Sequence, residues 1–312
     1  MKARQRCLIP ITIALIIVGI SISALALNHY DSHSSKKDSV ELKDPYVPCG
    51  VLPPKTENIS EVIVLDMSLV EYAEEAWIDN NREVVVKLDY SMLEKGLVFV
   101  SADNIKPEKL RISFYKNTSD VQSCSRIFKE GYYPLINGTG IYYLQIFVES
   151  TAETFSGIAI TSFSAEFDEI ELFKYSNFAA TYHEDSPLAQ KAYTVTKDLD
   201  NDHEKAAEIA RVIRIRFVYD IEYSDLAEEV GDCDLFYERN GGVCYHFSAL
   251  FSAMMRSIGI PTREVRGSLE FEEGLYHSWN EYYSDGEWRT VDVKYYKQQE
   301  QLKYTKDKNS ER

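Results

Sequence analysis

The chain has 312 residues, of which 45% are hydrophobic and 27% charged, enough apolar material to build a packed core, so wholesale disorder is excluded. Its 34 basic residues are outnumbered by 50 acidic ones, a net charge of −16, which argues against gripping nucleic acid or anionic lipid through a basic surface. Tyrosine, at 22 copies, outnumbers Phe and Trp together and favours a strand-rich molecule over a helical bundle.

The chain opens with Lys2, Arg4 and Arg6, followed by a charge-free apolar run from Cys7 to Leu27. That run is long enough to cross a hydrocarbon core of about 30 Å as a helix. The positive residues ahead of it orient the amino end toward the cytoplasm. Ala24-Leu25-Ala26 also fits a small-residue cleavage site. Residues 1–27 are therefore expected to be a signal peptide or a single-pass anchor, with membrane contact through residues 7–27 if uncleaved. The body then works on the extracellular side or is secreted. Residues 28–45 are polar and read as a linker.

From residue 46 to about 175 the pattern is short strands separated by turns: Val62–Leu65, Val84–Leu88, Leu97–Val100, Arg111–Tyr115 and Tyr142–Val148. Such spacing predicts an all-β, sandwich-like domain. No catalytic signature falls within it. The period changes near Ser186. Pro187 to Leu199 can be helical, and Asn201 with Glu204 forms a capping box for a second helix whose Ala206, Ile209, Ala210, Ile213 and Phe217 share one face. A loop rich in Tyr and Asp is expected up to Asn240. Gly241-Gly242-Val243-Cys244 then opens an apolar helix through Ser257, stopped by Gly259 and Pro261. Strands follow over Thr262–Leu269, Tyr276–Ser284 and Glu287–Val293. The tail, polar from Lys294 and assigned to no domain over 297–312, is expected to fray.

Cys244 is placed at a helix amino end, where free backbone N–H groups and the helix dipole favour a thiolate. His246 is two positions further along the helix, about 200° around it, and so points away from Cys244. His277 is a better partner. Asp285-Gly286 predicts a two-residue hairpin that pairs Ser284 with Glu287. In that register His277 and Asp292 are diagonal neighbours on one face, and a one-residue slip would separate them. Nucleophile, base and orienting carboxylate are thus all supplied. Tyr237 and Trp279 are the candidates for a second oxyanion donor.

Gly-Gly-Val-Cys-Tyr-His-Phe-Ser-Ala-Leu-Phe-Ser-Ala-Met-Met-Arg-Ser-Ile-Gly-Ile-Pro-Thr-Arg, residues 241–263, resembles the cysteine motif of the transglutaminase-like superfamily. Residues 276–292, Tyr-His-Ser-Trp-Asn-Glu-Tyr-Tyr-Ser-Asp-Gly-Glu-Trp-Arg-Thr-Val-Asp, resemble its histidine and aspartate motifs. The resemblance implies a papain-like α+β catalytic domain over 180–296, following the β domain of 46–175. It assigns Cys244 as nucleophile, His277 as general base and acid, and Asp292 as orienter. The implied activity is acyl transfer from amide bonds through a thioester, as a protease, amidase or transglutaminase, on a protein or peptide that includes cell-wall peptide among its options. Two positions depart from the pattern: Val293-Lys294 follows Asp292 where many relatives have Pro, and His246 stands where several have an acid.

No cofactor or metal is expected. His203-Glu204 lacks the second histidine of a zinc protease motif, and Asp198, Asp200 and Asp202 lack the glycine and glutamate of a calcium loop. Two other classes compete with the enzyme: a non-catalytic cell-surface binding or scaffolding protein that keeps the fold, and a redox protein in which Cys233 and Cys244 pair.

Overall fold

The computed structural model describes residues 46–53, 58–70, 83–116, 121–123, 128–151, 154–222, 231–269, 276–297 and 302–307. The expected signal or anchor of residues 1–27 and the linker of 28–45 lie outside the described residues. Among those described, no helix is long and apolar enough to cross a membrane.

Among the described residues, eight strands precede the first long helix: β1 Glu61–Val64, β2 Val85–Asp89, β3 Leu97–Asp103, β4 Leu110–Tyr115, β5 Val121–Ser123, β6 Gly131–Pro134, β7 Gly140–Thr151 and β8 Thr154–Ala165. They form two antiparallel four-stranded sheets, ordered β1-β2-β3-β6 and β5-β4-β7-β8. The two-residue side-chain period explains the layering. Leu110, Ile112 and Phe114 of β4 and Tyr142, Leu144, Ile146 and Val148 of β7 are buried, and they meet Val86, Leu88, Val98 and Val100 of the other sheet in one apolar cluster. β8 escaped the sequence reading. Its small and polar residues stay largely solvent-accessible, so it shows no buried alternation, and it is held as an edge strand by its long ladder with β7.

The strand β3 is buried on both sides. Val98 and Val100 face the cluster just described, whereas Leu97 and Phe99 join Tyr132, Leu172 and Phe173 in a second one, against which Trp288 packs.

The second half is α+β. Helices α1 (Pro187–Thr196) and α2 (Asp202–Arg216) lead to a short strand, β9 (Val218–Tyr219). Asn201 caps α2, its side chain accepting from the His203 N–H at 2.7 Å. Where a loop was expected, Cys233–Arg239 forms a helix, α3. Asp232 caps it, accepting from the Leu235 N–H, and Asn240 ends it in the left-handed conformation at φ 59°. The stretch is short and carries three charges, so it shows little helical periodicity in sequence. β10 (Gly241–Gly242) pairs in parallel with β9 and leads into α4 (Cys244–Ser257), in which every residue from Tyr245 to Ser257 is buried.

Strands β11 (Thr262–Leu269) and β12 (Tyr276–Ser284) pack on α4, and β13 (Glu287–Val291) extends their sheet beside β12. Asp285 and Gly286 both have positive φ, as a primed hairpin turn requires, and Ser284 pairs with Glu287 as expected. The ladder closes at Asn280–Val291, two residues short of the expected strand end. The polar tail differs from expectation as well. Tyr304–Lys306 forms β14 and pairs antiparallel with β11, giving the sheet order β13-β12-β11-β14.

Candidate active site

The site is built where the amino end of α4 meets β12. Cys244 is the first residue of α4 and is only partly covered. Its loop is shaped by Gly242, where an added Cβ would sit 2.6 Å from the Cβ of His246. His246 points away from the sulfur, as its helical position dictates. It is buried, its Nδ1 accepts the Val243 N–H at 3.1 Å, and its ring packs edge-on to Phe236. The histidine therefore satisfies a backbone donor at the helix start, a task a carboxylate also performs.

His277 lies on β12 with 2% of its surface exposed, and Asp292, just past the end of β13, with 1%. The His277 Nε2–H donates to Asp292 Oδ2 at 2.7 Å. The Asp292 carboxylate is fixed by two further donors: the Tyr295 N–H to Oδ1 at 3.1 Å, and the Tyr304 hydroxyl to Oδ2 at 3.2 Å. With Nε2 committed to Asp292, Nδ1 is the nitrogen left for the thiol, and Cys244 is close enough to the ring to raise its pKa. Burial alone would lower the His277 pKa. The hydrogen bond with Asp292 and then the nearby Cys244 outweigh it and raise the value to about 9. Cys244, His277 and Asp292, the three residues singled out in the sequence, are brought together.

The orientation of this cluster depends on the fit of α4 against β12. Asn280, fully buried on β12, donates through Nδ2 to the Ser248 carbonyl and to Ser252 Oγ, both at 2.9 Å. Trp279 is buried beside the ring of His277, with Tyr304 on its other contact at 4.9 Å between ring centres.

Of the two candidate oxyanion donors, the Tyr237 hydroxyl accepts from Arg216 Nη1 at 3.2 Å, while the buried Trp279 Nε1 has no partner among the described residues. Three residues to which the sequence assigned no role border the site. Tyr219 pairs with Gly242 across the β9–β10 bridge; burial, and next the neighbouring Cys244, push its phenol above the ordinary range. Lys294 packs over the Tyr219 ring, and Tyr304 reaches Asp292 from β14. Neither tyrosine carries a spacing signal, because each is one among many and reaches the site by long-range pairing.

Cys49, Cys233 and Cys244 are free thiols, and Cys124 lies outside the described residues. Cys233 is fully buried, which pushes its thiol well up. No disulfide joins it to Cys244. Among the described residues, no group of three or more His, Cys, Asp or Glu side chains is placed to hold a metal ion.

No curated protein matches the chain. Solved structures similar to it include a candidate cysteine protease from Cytophaga hutchinsonii, 16% identical, covering 63% of this chain and 75% of that one with a TM-score of 0.38. The periplasmic domain of TgpA from Pseudomonas aeruginosa is 13% identical over 65% of this chain and 93% of that one, with a TM-score of 0.33. Red sea bream transglutaminase is 13% identical over 75% of this chain, which spans 52% of that protein, with a TM-score of 0.24. The family model of the transglutaminase-like superfamily matches residues 189–293, a segment that contains Cys244, His277 and Asp292. Residues 189–293 are a transglutaminase-like superfamily domain.

Proposed function

We propose that the protein is a cysteine-dependent acyl-transfer enzyme acting on amide bonds of a protein or peptide. Cys244 is the nucleophile, His277 the proton carrier and Asp292 its orienter. The thiolate adds to the substrate carbonyl, and the imidazolium gives its proton to the departing amine. A thioester on Cys244 results. Water then releases an acid, or an amine releases a new amide. The backbone N–H of Cys244, at the start of α4 and next to the Tyr219 hydroxyl, is suited to hold the developing oxyanion once a substrate oxygen takes that position.

The observation that carries this reading is the buried His277–Asp292 hydrogen bond at 2.7 Å, with the Cys244 thiol against the same ring. A buried histidine serving only the core needs no thiol at a helix start beside it. The β-rich region of 46–175 is read as a sandwich-like binding or spacer domain ahead of the catalytic one of 180–296. The export signal or anchor belongs to the same proposal, placing the enzyme outside the membrane.

The test is turnover. The protein and its Cys244→Ala variant are incubated with a mixed protein substrate and a labelled primary amine, and products are mapped by mass spectrometry. New amino termini, side-chain deamidation or incorporated amine are expected with the parent alone. Equal products from both proteins, or from neither while a binding phenotype persists in the variant, would leave a non-catalytic surface protein.

A further inference from the structure

Lys294 occupies the position two residues after Asp292, in Asp292-Val293-Lys294. Its ammonium lies 4.1 Å from the centre of the Tyr219 ring and 4.6 Å from that of Tyr295. One of those rings neighbours the Cys244 loop and the other neighbours His277. Tyr219 is in register with Gly242, next to the Cys244 loop, and its phenol is near enough to feel the Cys244 thiol. Tyr295 packs 5.5 Å from the His277 ring, and its backbone N–H holds Asp292. The ammonium thus contacts one ring beside the sulfur and one beside the base.

Among the described residues, no carboxylate lies within ion-pair distance of Lys294. Other lysines of this acidic chain do find one: Lys87 pairs with Asp103, Lys174 with Glu171 and Lys306 with Glu281. Aromatic faces attract a cation but do not neutralise it. Burial works against the charge on Lys294, yet hydrogen bonding to Tyr295 and the presence of Tyr219 outweigh that and keep the amine protonated. A partly desolvated cation without a counter-charge, at the rim of a nucleophile, attracts an incoming anion more strongly than one in bulk water.

We propose that Lys294 anchors a carboxylate of the substrate, so that the site takes acyl donors carrying a carboxylate close to the reacting carbonyl. The proposal rests on Cys244 being the nucleophile and adds the substrate class. Tyr219 and Tyr295 act as the sleeve that holds the ammonium in place.

Two alkylating reagents of nearly equal size test it without a known substrate. Iodoacetate carries a carboxylate and iodoacetamide does not. In both reactions the thiolate sulfur forms a bond to carbon and iodide leaves. Rates are followed at Cys244 by peptide mapping, with the exposed Cys49 as internal reference. The iodoacetate-to-iodoacetamide ratio is expected to be higher at Cys244 than at Cys49. Lys294→Met and Lys294→Gln should each lower the Cys244 ratio by about fivefold, the scale of one partly exposed charge contact. Lys294→Arg should retain most of it, and added salt should compress it in the parent. A Cys244 ratio that neither neutral variant moves would overturn the carboxylate anchor while leaving the nucleophile intact. Cys244 reacting no faster than Cys49 with either reagent would instead overturn the functional reading on which the anchor rests.

Discussion

Asp292 has three donors around one carboxylate, and each has a different reach in sequence: Tyr295 is a neighbour, His277 is across the hairpin, and Tyr304 arrives from the last strand. The imidazole is buried, so its charge depends on these contacts. Because the folded pKa of about 9 lies above the ordinary 6.5, the ionised pair stabilises the fold fully below about pH 6.5 and loses that contribution as pH rises through 9. An NMR titration of the His277 ring should give that raised midpoint, and Asp292→Asn should lower it, since burial is then opposed by Cys244 alone. The variant should also lose about 2 kcal/mol of stability at neutral pH, measured in urea. A parent midpoint near 6.5 would contradict the proposed pairing. The shared face of His277 and Asp292 was legible from Asp285-Gly286, because a two-residue turn determines the parity of everything beyond it. Tyr304 was not legible. Nothing in a Lys- and Gln-rich tail announces that one of its tyrosines returns to a carboxylate through pairing with β11.

At the scale of elements, catalysis in this proposal requires α4 to present Cys244 to a ring carried by β12. The link is Asn280, whose amide bonds both the backbone and a side chain of α4. Asn280→Ala would remove one donor each from the Ser248 carbonyl and the Ser252 hydroxyl in the core. It should cost about 2 kcal/mol in chemical denaturation and slow Cys244 alkylation. Unchanged stability and unchanged alkylation would show that the helix is positioned by apolar packing alone. The helix α4 and the three strands after it were readable from sequence, since a continuous apolar run ended by Gly259 and Pro261 has few other solutions. α3 was not: seven residues with Asp234, Glu238 and Arg239 give a periodicity too short to separate from a loop, and its caps are evident only once Asp232 is seen bonding the Leu235 N–H.

For the molecule as a whole, the informative residues are those of β3. A run of Leu97-Val98-Phe99-Val100 announces burial on two faces but does not name what covers each. One face packs on the second β sheet. The other meets Leu172 and Phe173, and Trp288 of β13 packs edge-on against Phe173 at 5.5 Å. Asp44–Arg312 accordingly forms one compact unit, although the sequence changes character near Ser186. That continuity leads to a single calorimetric unfolding transition for the body. Phe173→Ala should lower the stability of the whole by about 3 kcal/mol, whereas two separated transitions would mean that the β-rich and α+β parts fold independently. The measurement that bears most directly on the chemistry is capture of a covalent intermediate. The protein is mixed with a substrate it turns over and quenched in acid within the turnover time, and the peptide containing Cys244 is examined by mass spectrometry. The expected result is a substrate fragment attached to Cys244, released by hydroxylamine as a thioester would be. Turnover with an unmodified Cys244 at every quench time, undiminished in Cys244→Ala, would contradict it.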